Sequence, residues 1–249
     1  MNRIIVFALM FFCMTMQIEA QTLSEEEVTA KMYQAFELNK AAKKAEALEL
    51  FLIVGENTKQ QRNEGERQVY VCSQTMACQC YELLGRYKEG YLLGKSLLQG
   101  KLNDTERKDV GHLYAMNGYM YACEFIQRDE KGRADYKRGR ELISEILPYS
   151  DGQVKEYAET KIPLSWYFEG AQYAMTQSYD EALSSYEEAL NGFRDLGRVS
   201  EEVDVLSGIA SVKAHLCKFD EAKRVYYQAF VLAHQNGKVN NCLLYTSDA

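Results

Sequence analysis

The stretch Leu164–Leu190 reads LSWYFEGAQYAMTQSYDEALSSYEEAL, and its spacing decides the fold. Trp166, Gly170 and Tyr173 fall at i, i+4 and i+7, so they share one face of a first helix. Ser178-Tyr179-Asp180-Glu181 supplies a turn and then acids that suit a helix N-terminus. On the second helix Ala182 and Ala189 are small, and Tyr179 and Tyr186 fill the space beside them. Gly170 is small where that helix crosses closely, with Ala182 as the expected neighbour. Pro163 lacks an N–H that a first helical turn does not need, so it is expected to mark where the first helix begins. The stretch is therefore a hairpin of two antiparallel helices.

The pattern returns downstream as Leu206-x3-Ala210-x8-Phe219-x2-Ala222-x3-Tyr226-x2-Ala229. The polar connection 191–202 accommodates the longer repeat, through a larger loop or longer helices. Upstream, Cys78-x2-Tyr81-x5-Tyr87-x2-Gly90 keeps the spacing with Gly in place of Ala. Gly118-x2-Tyr121 and Tyr136-x2-Gly139 form a further unit, parted by a charged insertion at 127–132 and stopped by Pro148. Ala35 and Ala47-x3-Phe51-x2-Val54 begin the series. The anchors Ala47, Gly90, Gly139, Ala182 and Ala222 recur every 40 to 49 residues, which makes about five units. Helical periodicity dominates after Thr22, and no stretch alternates for long. The register, the aromatic–small order and the tandem Tyr-Asp-Glu-Ala and Phe-Asp-Glu-Ala turns weigh against an ordinary helical bundle.

This large–small–aromatic order resembles the tetratricopeptide repeat (TPR) over about residues 24–234. The resemblance implies an all-α solenoid of stacked antiparallel hairpins, whose first helices line a concave groove and whose role is to bind a protein or peptide. Stepping away from the packing residues places Thr75, Gln79 and Glu82 on that groove, then His112, Ala115 and Tyr119. Tyr167, Ala171 and Met175 follow, then Ser207, Ser211 and His215. Gln79, His112, Tyr119, Tyr167, Met175 and His215 are the candidate partner-binding residues. The Tyr167 ring is expected to point away from the helix pair that holds Trp166. The lining lacks the Lys/Asn cluster that some members of the family use to clamp a terminal carboxylate.

No catalytic residues are expected. Gly90-x3-Gly94-Lys95-Ser96 imitates a phosphate loop, but Glu89 stands where the first Gly belongs and no strand precedes it, so it reads as a helix within a repeat. His112, His215 and His234 form no metal-binding pair, and no Gly-x-Ser-x-Gly nucleophile motif occurs. Neither metal nor cofactor is expected. Cys72, Cys78, Cys80, Cys123 and Cys217 have no zinc spacing and are expected to be small residues buried between helices, with one disulfide between distant helices left open.

Composition sets the outer limits. Of 249 residues, 47% are apolar and 26% charged, which excludes a disordered chain. A mean hydropathy of −0.38 excludes a multi-span membrane protein. The net charge of −7 disfavours nucleic acid as a partner.

Both ends read differently from the repeats. Residues 1–20 resemble a secretory signal peptide, with Arg3 as the basic start, an apolar run over 4–16, and Ala20 before a mature start at Gln21. Phe11 and Phe12 ahead of Cys13 exclude a lipoprotein motif. The expected location is the periplasm. Residues 242–249 resemble a translated sequencing adaptor, so the repeat domain is expected to span 21–241 and the native sequence to continue differently. Signal peptide plus repeats resembles the periplasmic input region of bacterial sensor histidine kinases, where a membrane helix and a cytoplasmic kinase follow. The membrane would then be met only through that C-terminal helix. A free periplasmic scaffold is the alternative, and an enzyme would need an active site that the motifs do not supply.

Overall fold

A computed structural model describes residues 23–127 and 134–237. The expected signal peptide and adaptor-like tail lie outside the described residues, as does most of the charged insertion at 127–132. Every regular element among the described residues is helical, and the chain divides at Gly85 and Arg86 into two compact units.

The first unit carries α1 (Glu25–Lys40), α2 (Lys44–Thr58) and α3 (Glu64–Leu83). Ser24 starts α1 with a reciprocal cap: its hydroxyl accepts from the Glu27 amide, and its own amide donates to the Glu27 carboxylate. Ala35, Ala47, Phe51, Val54 and Ala77 are fully buried where the helices meet, and Phe36 sets its ring edge-on to Phe51 at 5.5 Å. The first repeat anchors are thus core residues, as the spacing requires.

The second unit carries α4 (Tyr87–Leu98), α5 (Asp104–Ile126), α6 (Tyr136–Ile146), α7 (Gly152–Met175), α8 (Tyr179–Asp195), α9 (Val199–His215) and α10 (Phe219–Gln235). Within this unit each helix packs on the next in the chain, as in a TPR-like α-solenoid of stacked antiparallel hairpins. Pro148 lies in a 3-10 turn, Leu147–Tyr149, that ends α6. Gly90 and Gly94 belong to α4, so the phosphate-loop imitation is a helix. Gly90 replaces the usual Ala because Asn117 of α5, fully buried and donating to the Leu113 carbonyl, takes up that volume. At the joint of α4, α5 and α6, Tyr91 and Tyr114 both donate to the Glu145 carboxylate at 2.9 and 2.7 Å, and Lys95 lies 2.7 Å from it. Burial pushes the Glu145 carboxyl up. Its bonds from Lys95, Tyr114 and Tyr91 outweigh burial and hold it below the usual carboxylate range.

The connections after α7, α8 and α9 are three residues long, and their middle residues, Gln177, Gly197 and Cys217, are left-handed at φ 62°, 64° and 57°. The following amides of Ser178, Arg198 and Lys218 reach back to the carbonyls of Tyr173, Phe193 and Lys213. These are αL helix stops that satisfy the last carbonyls while reversing the chain. The longer repeat is therefore taken up by helix, not loop: α8, α9 and α10 each have 17 residues.

Three expectations are corrected here. Pro163 does not begin a helix; it lies inside α7, which starts at Gly152 after Asp151. Only the first turn tolerates proline without loss, but Pro163 is buried under α8, and a side chain at Gly192 would meet its ring at 2.8 Å. Packing holds the helix through the defect. Gly170 does make the close approach expected, but to the Tyr186 ring rather than to Ala182. The cysteines divide: Cys78, Cys80 and Cys123 are buried, Cys72 and Cys217 are exposed, and no disulfide joins any of the five.

Candidate functional site

A cleft of about 260 Å³ opens in the second unit among α7, α8, α9 and α10. One face of α9 lines it, where Asp204, Ser207, Ser211 and His215 follow at i, i+3, i+7 and i+11, with Gly208 beside them; Asp204 and His215 are exposed at its two ends. Ser207, Gly208 and Ser211 are small, so α9 leaves room where a longer residue would close the gap. Tyrosines form the walls: Tyr167 from α7, Tyr179 and Tyr186 from α8, and Tyr226 from α10.

The walls are held from behind. Tyr186 is 4% exposed and its ring lies against Gly170 on α7 and Gly208 on α9. Burial pushes its phenol up to about 12, so it stays neutral at ordinary pH. The Tyr167 ring centroid is 5.8 Å from that of Tyr186 and 5.7 Å from that of Phe168. Next to Tyr167, Trp166 packs on the same core cluster, and the Arg140 guanidinium of α6 stacks 3.4 Å from its ring centroid while bonding Glu169 at 2.7 Å. At the rim, His215 Nδ1 donates to the Ser211 carbonyl at 2.8 Å, and its ring lies 5.9 Å from that of Tyr179. The Ser207 hydroxyl donates to the Val203 carbonyl, so its oxygen also presents an acceptor.

The structure brings four of the sequence-derived groove residues together here: Tyr167, Ser207, Ser211 and His215. Others lie elsewhere. Tyr119 stacks on Tyr157 at 6.3 Å, in a separate shallow depression of α5 and α7 that also holds Lys161 and Arg198. His112 is exposed on α5, with Nδ1 3.0 Å from Asp151 Oδ1. Gln79 is exposed on α3 of the first unit. Met175 is 75% exposed and lies outside the cleft wall. Ala115 does not face a groove at all: it is fully buried against α5's neighbours, because α5 packs on both sides. Tyr167 does not point clear of the core either, since it packs on the cluster that holds Tyr186.

Tyr179, Tyr186 and Tyr226 stand on second helices, outside the face the sequence reading assigned to the groove, and Asp204 lies on a first helix one step before Ser207, where that reading began. The signal was present: Tyr186 and Tyr226 occupy the same position of successive repeats, and Asp204 shares its helix face with Ser207 and Ser211.

No family model matches the chain, and no curated protein matches it. Among solved structures it is similar to the apo form of RapI, at 14% identity over 85% of this chain and 72% of that one, with a TM-score of 0.35. It is likewise similar to TTC0263, a thermophilic TPR protein of Thermus thermophilus, at 15% identity over 85% of this chain and 94% of that one (TM-score 0.34). A third is a Podosopora anserina putative kinesin light chain with nearly identical TPR-like repeats, at 14% identity over 85% of this chain and 96% of that one (TM-score 0.35). The fold assignment itself rests on the hairpins of this chain.

Proposed function

We propose that this chain is an extracytoplasmic protein- or peptide-binding module that works by recognition and performs no chemistry. The tyrosine-walled cleft of α7 to α10 carries the reading. It combines large rigid aromatic surface with short polar side chains, the composition that anchors peptide side chains in interfaces. Among the described residues no group of His, Cys, Asp and Glu is placed to hold a metal ion. The signal-like leader supports export to the periplasm. Leader plus repeats supports a role as the sensory input region of a membrane sensor histidine kinase.

Two experiments test this. Peptides selected by display on the purified protein should lose binding at least tenfold with Ser211→Arg, which fills the cleft from an accessible position. Glu187→Ala, on the exposed side of α8, should leave binding unchanged. Selected peptides indifferent to Ser211→Arg would remove the cleft from the function. For the finer role, genomic sequence beyond codon 241 should encode an apolar run of about 20 residues and then a kinase histidine box. A stop codon there would assign the free scaffold instead.

A further inference from the structure

We infer that the cleft selects a cationic side chain, arginine above lysine, from an extended peptide; this rests on the recognition role proposed above. Four observations converge. Three of the four wall tyrosines, Tyr167, Tyr179 and Tyr226, are half-buried, and the negative π faces of such rings attract a guanidinium or ammonium group and repel a carboxylate. Along α9 the lining includes one carboxylate, the exposed Asp204, and in line with it the hydroxyl oxygens of the half-buried Ser207 and Ser211. A planar guanidinium can stack on a ring and present its N–H fork to that carboxylate at once, which a lysine ammonium cannot.

The third observation concerns cations already present. Among the described residues the cleft lining contains no Lys or Arg. The nearest on α9, Lys213, projects from the opposite side of the helix from Asp204, nine residues on, and is paired with Glu221 of α10 at 2.6 Å. Among the described lining residues no Lys or Arg is set to receive a peptide carboxylate, so the anion-clamping mode does not fit. The fourth is size. A volume of about 260 Å³ takes one long side chain rather than a folded loop, so the ligand enters as a side chain from a peptide lying across the rim. The protein uses the same pairing internally, where Arg140 stacks on Trp166 and bonds Glu169.

The test uses fluorescein-labelled heptapeptide pools, random at every position except the centre, which is fixed as Arg, Lys, Gln or Glu. Anisotropy titrations with the purified protein should show the Arg pool binding at least tenfold more tightly than the Gln pool, with Lys between them and Glu weakest. Asp204→Asn should weaken the Arg pool about tenfold, leave the Gln pool unchanged, and keep wild-type helicity. Asp204→Glu should restore much of the preference. Equal affinity for the Arg and Gln pools, or an equal loss for both in Asp204→Asn, overturns the inference. If the pools bind without charge preference and Ser211→Arg still blocks them, the cation assignment falls and the recognition role stands. If Ser211→Arg changes no pool, both fall.

Discussion

Tyr186 is clamped between two glycines, and this makes a sharp prediction about alanine. A Cβ placed on Gly170 would lie 2.8 Å from Tyr186 Cδ1, and one on Gly208 would lie 2.9 Å from Cζ. Comfortable carbon contacts are about 3.5–4.0 Å, so either methyl asks the ring to retreat by about 0.6 Å or more. The ring is 4% exposed, and retreat from one glycine drives it toward the other. Overpacking of this kind costs about 1–3 kcal/mol, against a gain of about 1 kcal/mol from replacing helical Gly by Ala. The net for Gly170→Ala is destabilisation of up to about 2 kcal/mol, and the same holds for Gly208→Ala. The double variant should lose more than the two single losses together, because neither escape route remains. Removing the ring reverses the sign. In a Tyr186→Ala background, already weakened by about 3–5 kcal/mol, Gly170→Ala should stabilise by about 1 kcal/mol, the bare helix preference. Urea unfolding followed by circular dichroism would read every variant. Stabilisation by Gly170→Ala in the presence of the ring would refute the clamp, and with it the placement of Tyr186 as a cleft wall.

Other outcomes follow from the same packing. Gln177 and Cys217 hold left-handed φ angles that cost an L-residue about 1–2 kcal/mol, so Gln177→Gly and Cys217→Gly should each stabilise by about 0.5–1 kcal/mol once the entropy of glycine is subtracted; a loss in thermal unfolding would show that the turns are not αL stops. Leu190 and Phe230 occupy equivalent repeat positions, yet Leu190 is 8% exposed and Phe230 44%. Leu190→Ala should therefore cost about 2–5 kcal/mol and Phe230→Ala under about 1 kcal/mol, and equal costs in urea unfolding would mean that α10 is covered as α8 is. Glu145 has a depressed folded pKa, so its contribution is complete above the unfolded value of about 4.3 and fades as pH falls through the lower folded value. The stability gap between wild type and Glu145→Gln should narrow on acidification below about pH 4.3, and a gap constant with pH would rule out ionic bonding at that joint.

What the sequence determined by itself was the unit of construction. Small residues at Ala47, Ala182, Ala189 and Ala222 and aromatics beside them at Tyr186 and Tyr226 define which helix face is buried, because close crossing requires small residues and the gaps require large ones. That periodicity is local and survives in one dimension. The start of α8 was legible, because Ser178-Tyr179-Asp180-Glu181 supplies a turn and then acids that suit a helix N-terminus. The start of α7 was not, because the packing of α8 on Pro163 outweighs a local helix-breaking preference of about 3 kcal/mol. The cleft was legible only in part. Tyr167, Ser207, Ser211 and His215 could be read from the faces of first helices. Tyr179, Tyr186 and Tyr226 come from second helices, and whether a second-helix residue is core or wall depends on how far its neighbour stands away. Ala115 shows the reverse case: its register is that of a groove residue, yet it is fully buried. Burial is a property of the distance between helices, which the volumes of several residues set jointly, so only the folded chain decides which faces close and which stay open.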